Sequence, residues 1–267
     1  MTVCIAALAD CGKSLALVCD SMISLDGLTG DRAAFKICPL TTPAQWWAMI
    51  AGDVSHVVPI VEAASANLLN LTDAANTRET VERAVVSAYQ KVRRQLVEDA
   101  ILSPLGLEWN ADNCLKLADR IDDVTLGCEL LIAGFDWNGD GYLFTVEDPG
   151  VVNNQNVCGY YAIGSGSYSA LATMMHHSVN QEMSLARILY HACEAKFMAE
   201  SAEGVGRHTH VKVARAGGKM DANELQAGAI DSIRRAWEEE GKPRIPHNLV
   251  EQLEKQLTGA QPRKHLR

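Results

Sequence analysis

Apolar residues follow two rhythms along this chain. Val3–Leu8, Ser14–Cys19 and Trp47–Ala51 are short continuous apolar runs, the first two separated by the turn Asp10-Cys11-Gly12-Lys13, and they predict strands opening on a hairpin. From Val54 to Leu71 and from Thr77 to Leu102 the apolar positions instead recur at helical spacing, predicting two consecutive helices, with Asn76 and Glu79 placed as a capping pair at the second start. Ser103–Thr125 carries Pro104, Gly106 and several acids with weak periodicity, and reads as an irregular insertion with a short helix at Ala111–Arg120.

The strand rhythm then returns. Glu129–Phe135 and Tyr142–Glu147 flank the turn Asp136-Trp137-Asn138-Gly139-Asp140-Gly141, and Val157–Ile163 leads into Gly164-Ser165-Gly166-Ser167. Helical spacing follows at Ser167–His177 and Ser184–Glu200, and Thr209–Ala214 reads as a closing strand. Strand groups alternating with paired helices, without a βαβα rhythm, predict an α+β fold: a four-layer α-β-β-α sandwich of two antiparallel sheets. Sheets covered on both faces explain why the strands are apolar runs rather than alternations. After Gly217-Gly218 the composition turns to charged helix formers, Asn223–Glu240 and Asn248–Leu257, split at Gly241–Pro246. The expected organisation is an α+β sandwich domain over 1–214 and a helical C-terminal extension over 215–267.

Composition narrows the function classes. With 48% hydrophobic and 21% charged residues in 267, the chain suits a folded soluble protein. No apolar run reaches the roughly 18 residues of a membrane span, and Asp10, Lys13 and Asp20 interrupt the N-terminal region where a signal peptide would lie, so a cytoplasmic protein is expected. A net charge of −9 argues against a nucleic-acid backbone binder. The eight cysteines form no CxxC pair and mostly adjoin apolar residues, so they read as buried reduced thiols.

Candidate chemistry begins at the N-terminus. Thr2 follows the initiator Met, whose removal a small second residue permits. An N-terminal threonine is a self-contained nucleophile: its hydroxyl attacks, and its α-amine, with an ordinary pKa of about 7.7–8.0, serves as base. The second strand ends on Asp20, and Lys36 opens the Lys36-Ile37-Cys38-Pro39-Leu40 run sixteen positions later. A lysine near the amine favours its neutral form and stabilises a developing alkoxide, while an aspartate offsets the lysine's desolvation.

With Thr2-Val3, Ala16–Ser21, Lys36-Ile37-x-x-Leu40, Ala51-Gly52, Leu131–Asp136 and Ala162–Ser167 together, the chain resembles β-type proteasome subunits and their bacterial relatives over roughly Thr2 to Ala214. The interval from Thr2 to Asp20 is about two residues longer than is usual there, an insertion placed in the Asp10–Lys13 turn. The resemblance implies a threonine-type peptidase of the N-terminal nucleophile class, acting on peptides or unfolded protein inside a homo-oligomeric ring. Thr2 would be nucleophile and base, Lys36 its electrostatic partner, Asp20 the anchor of the lysine, and Ser165 a hydrogen-bond partner near the amine. Gly52 would supply an oxyanion-hole N–H where a side chain would crowd the scissile carbonyl. Substrate would lie as an added strand along Met22, Ile23 and Ser24 on one side and Gly52, Asp53 and Val54 on the other, with Ile23 and Ile50 facing an apolar specificity pocket. The resemblance departs at Glu200-Ser201-Ala202-Glu203-Gly204, where the family's Asp and Ser are not in register; Glu200 is one candidate substitute. No cofactor is expected, and the C-terminal helices are candidates for an interface or for docking a regulatory ATPase. A catalytically silent assembly or scaffold protein, and an amidase for small molecules, remain as alternatives.

Other signals count for less. Asp136-x-Asn138-x-Asp140-Gly141 with Glu147 satisfies a calcium-loop pattern, but strand-like flanks make it a hairpin turn. Gly164-x-Gly166 lacks the acid of a dinucleotide site. His176-His177 and His208-x-His210 have no carboxylate or cysteine cluster at ligand spacing in the sequence, so no metal site is expected.

Overall fold

A computed structural model describes residues 2–25, 28–30, 35–41, 45–69, 72–217 and 223–241. In chain order the strands and helices are β1 (Cys4–Ala9), β2 (Ser14–Asp20), β3 (Ile23–Leu25), β4 (Leu28–Gly30), β5 (Ile37–Pro39), β6 (Trp46–Gly52), α1 (Val54–Leu68), α2 (Arg78–Val97), α3 (Ala111–Lys116) and α4 (Ala118–Asp122). There follow β7 (Cys128–Phe135), β8 (Gly141–Glu147), β9 (Val151–Asn154), β10 (Tyr160–Ile163), α5 (Ser167–His176), α6 (Leu185–Ala199), β11 (Thr209–Arg215), β12 (Asn223–Glu224) and α7 (Ala227–Ala236). The expected helix at Asn248–Leu257 lies outside the described residues.

Two five-stranded antiparallel sheets form the centre, in the orders β10-β1-β2-β11-β12 and β5-β6-β7-β8-β9, with β3 and β4 as a separate pair. Strand alternation divides their side chains among three cores. Cys4, Ala6, Leu8, Leu15 and Leu17 of the first sheet meet Trp47, Met49, Leu131 and Ala133 of the second between the layers. The intervening residues Ile5, Ala7, Ala16 and Val18 turn outward under Ile188, Ala192 and Phe197 of α6. Trp46, Ala48, Ile50 and Ile132 do the same under Ile60, Ala64, Val85 and Tyr89 of α1 and α2. The fold is therefore the expected α-β-β-α sandwich. No helix among the described residues is long and apolar enough to cross a membrane.

Some elements differ from the sequence reading. The cap of α2 is Thr77, whose hydroxyl accepts from Thr80 N, not Asn76. Asn76 is buried and accepts from Trp46 Nε1 at 2.7 Å, tying the loop before α2 to β6. α2 proper stops at Val97 and its last turn widens over Glu98–Leu102. The 103–125 insertion folds as two short helices, with Ile121 packed on Val97, Ile101 and Leu102. Val157–Gly159 is a turn, so β10 begins at Tyr160. Val151–Asn154, unassigned in the sequence, is the edge strand β9. Asn223-Glu224, expected as helix, instead adds β12 to the first sheet, pairing Lys212 with Glu224. The helix begins at Ala227, and Ile230 and Trp237 pack in the same core as α6.

Candidate active site

Strand register explains how distant residues converge. Cys4 pairs with Cys19 on one side and Ile163 on the other, so Thr2, just before β1, reaches the end of β2 and the turn after β10 together. Thr2, Asp20 and Lys36 are all buried, at 3%, 0% and 6% exposure. The Thr2 hydroxyl donates to Asp20 Oδ1 at 2.5 Å, and the Lys36 ammonium donates to Thr2 Oγ1 and, at 2.9 Å, to Asp20 Oδ1. Thr2 N donates to Ser165 Oγ at 3.1 Å.

Asp20 is the hub. Its Oδ1 also accepts from Val3 N at 2.9 Å, and its Oδ2 from Met22 N at 2.9 Å and Gly206 N at 3.1 Å. Burial alone would raise this carboxyl's pKa. The Lys36 charge and the Thr2, Val3 and Lys36 hydrogen bonds outweigh it, holding the group below its ordinary value of 3.8.

Close approach here depends on glycines. Gly164 has φ +87°, and a Cβ on it would lie 2.5 Å from Thr2 O and 2.6 Å from Thr2 Cγ2, so only glycine lets this turn lie against the threonine. Gly166 N then donates to Thr2 O at 3.0 Å. Gly52 has φ +92°, and its Cβ would strike the Gly127 carbonyl and lie 2.7 Å from Cys128 Cα. A steric need for glycine at 52 thus arises already from the backbone that enters strand β7. Gly52→Ala is expected to lower stability by about 1–3 kcal/mol through backbone strain, read as a fall in the urea midpoint.

The substrate-side candidates divide. Met22, Ile23 and Ile50 line a cavity of about 130 Å³ with Phe35, Lys36 and the α1 residues Val54, Val57 and Val58, and Thr2 stands at its edge. Val54 is the first helical residue of α1, not part of an extended edge as expected, so the extended backbone after β6 ends at Asp53. Asp53 caps that helix, its carboxylate accepting from Ser55 N at 2.8 Å and Ser55 Oγ at 2.6 Å, and these bonds lower its pKa. Ser24 belongs to β3, whose backbone pairs with β4. On the other side of Thr2 a groove of about 510 Å³ runs between Gly127, Glu129, Glu147, Asp148 and Ser165. Burial raises the Glu129 pKa above its ordinary value, partly offset by Gly164 N–H.

Behind Asp20 lies a supporting shell, of which the sequence singles out only Glu200. Lys196 of α6 is fully buried and donates to Glu200 Oε1 at 2.6 Å, Gly206 O at 2.7 Å and Arg207 O at 2.9 Å. It therefore fixes the loop whose Gly206 N–H holds Asp20. Arg234 of α7 lies over the Phe197 ring at 4.0 Å and forks onto Glu200 at 2.9 and 2.5 Å. Glu200 accordingly serves Lys196 and Arg234, with Gly206 making the direct contact to Asp20. Beside Glu200, a lone lysine in the buried stretch Cys193–Phe197 is the sequence signal for this shell.

Comparison with known proteins bears on one segment of the chain and on its fold. The family model "Proteasome subunit" matches residues 119–214, from α4 through β11. A search of curated proteins finds no match. Among solved structures, Anbu (ancestral beta-subunit) from Yersinia bercovieri superposes with a TM-score of 0.66 at 15% identity, covering 99% of this chain and 100% of that one. The chain thus resembles β-type proteasome subunits both in a matched segment and in its whole fold.

Proposed function

We propose that this proteasome-like chain is a threonine-type peptidase of the N-terminal nucleophile class, with Thr2 exposed as the first residue by removal of Met1. The observation that carries the reading is the buried Thr2–Lys36–Asp20 constellation. A charged pair held out of water is costly unless well satisfied, and here both partners converge on one threonine hydroxyl.

The chemistry follows from the parts. Once freed, the α-amine takes the hydroxyl proton as Thr2 Oγ1 attacks a peptide carbonyl. The Lys36 ammonium stabilises negative charge developing on Oγ1, Asp20 holds the ammonium in place, and Ser165 orients the amine. Gly52 N–H is the proposed donor to the oxyanion. The amine then protonates the leaving group, and water resolves the acyl-enzyme by the reverse sequence.

An apolar cavity on one side of Thr2 and a groove on the other favour a substrate extending both ways from the cut bond, hence a peptide over a small amide. Sheltering such sites in a homo-oligomeric ring is part of the proposal, as is a cytoplasmic setting. Intact-mass measurement tests the first condition: the active form should be one methionine short of the 267-residue chain. A preparation that retains Met1 yet hydrolyses peptides would sink the mechanism.

Specificity follows from the cavity wall. Fluorogenic peptides with an apolar residue before the cut are expected to be preferred. Val58→Asp, on the 39%-exposed face of α1, is expected to lower kcat/KM for them by about 10–100-fold. Equal rates with acidic, basic and apolar residues at that position would refute the assignment.

A further inference from the structure

The helix pair α5 and α6 carries a second cluster of chemistry-bearing side chains away from Thr2. α5 begins at the turn touching Thr2, where Gly166 N donates to Thr2 O, and its ten residues carry the chain about 15 Å onward. At that far end His177 closes the helix. From α6, His191 and Glu194 stand three residues apart on one face and meet it. His177 Nε2 lies 3.0 Å and His191 Nδ1 3.3 Å from the same oxygen, Glu194 Oε2, and all three atoms fall within 4.8 Å of one another. The two imidazole rings stack at 4.5 Å.

Three features make this more than an ion pair. Glu194 is only 6% exposed, and a carboxylate held out of water needs its charge compensated. Ligands bonded to zinc at about 2.0–2.1 Å in a tetrahedron stand about 3.4 Å apart, close to the separations from Oε2 found here. Two histidines with one carboxylate also form a donor set suited to a borderline divalent ion.

We propose that His177, His191 and Glu194 form a divalent-metal site of zinc type, bridging the end of α5 to the middle of α6, with its fourth position open to solvent. The sequence shows no carboxylate at ligand spacing from His176-His177, and Glu194 supplies one from the next helix. His177 and His191 are partly exposed, which gives the ion a way in.

The test titrates full-length, chelator-stripped protein with Zn²⁺ against a chromogenic chelator, and with Co²⁺ by visible absorption. One equivalent per chain is expected, with a rise in melting temperature on adding zinc. His191→Ala and Glu194→Gln should each weaken binding at least about 100-fold and remove the thermal shift. His177→Ala, at a partly exposed helix end, serves as the variant least disturbing to the fold, checked by circular dichroism. Cys11→Ser with Cys158→Ser, at the two exposed thiols, should bind as the wild type does. Substoichiometric binding, binding unchanged in the folded His177→Ala protein, or binding lost only with the cysteines would each overturn the proposal. None of these readouts depends on peptidase activity.

Discussion

Thr2→Ala is expected to reduce peptide hydrolysis by at least about 10³-fold while leaving the fold nearly as stable as the wild type, because only the nucleophile is removed. Asp20 and Lys36 keep their 2.9 Å bond, and Asp20 keeps its backbone donors, so the stability cost is that of one hydroxyl's hydrogen bonds, about 1 kcal/mol. Thr2→Ser should retain measurable turnover, since it keeps an attacking hydroxyl and a side chain small enough for Met1 removal. Steady-state hydrolysis of a fluorogenic peptide, with mass spectrometry confirming the processed N-terminus in each variant, checks both. Full activity in Thr2→Ala would eliminate Thr2 as the nucleophile and with it the proposed mechanism.

Asp20→Asn is expected to abolish activity to a similar degree and, in contrast, to cost about 3–5 kcal/mol of stability. The substitution leaves a buried lysine without its counter-charge, and an amide cannot accept from Lys36, Thr2, Val3, Met22 and Gly206 as the carboxylate does. Lys36→Met separates the two effects. It should lose activity equally yet cost less stability, since the backbone donors remain for the carboxylate. Acid dependence gives an independent reading. The folded-state pKa of Asp20 is depressed below 3.8, so its contribution is complete above the unfolded value, near pH 4, and is lost as pH falls through the folded value. Urea unfolding between pH 3 and 6 should therefore show a steeper acid loss for the wild type than for Asp20→Asn. Parallel curves would remove Asp20 as a stabilising hub.

Much of this arrangement is legible in the sequence, for identifiable reasons. β1, β2, β6, β7 and β8 are buried on both faces, so each appears as an apolar run whatever its register. β9 is half-exposed and ends in two asparagines, and β12 has two residues, so neither carries a pattern to find. Thr2, Asp20, Lys36 and Ser165 were accessible as residue types at intervals. The donors that hold Asp20 were not, because Val3, Met22 and Gly206 act through backbone N–H groups, which any residue but proline possesses. Gly52 illustrates a third case: its identity was noticed, but the collision with Gly127 and Cys128 that requires it depends on which strand is paired beside it. Likewise, His177 acquires Glu194 through the antiparallel return of α6, a relation set by tertiary packing.

The contact between Arg234 and Glu200 bears on where a minimal fragment that keeps the candidate site can end. A fragment stopping at Arg215 would retain every residue of the Thr2 constellation. It would nonetheless strip Glu200 of its guanidinium, uncover Phe197 where Trp237 packs, and remove the bond from Arg234 to Arg207 O that helps Lys196 hold the Gly206 loop. Sequence alone places a helical C-terminal extension there. By its bonding, the segment around α7 is instead the outermost layer of the candidate site, and cutting it away would trim that site from behind.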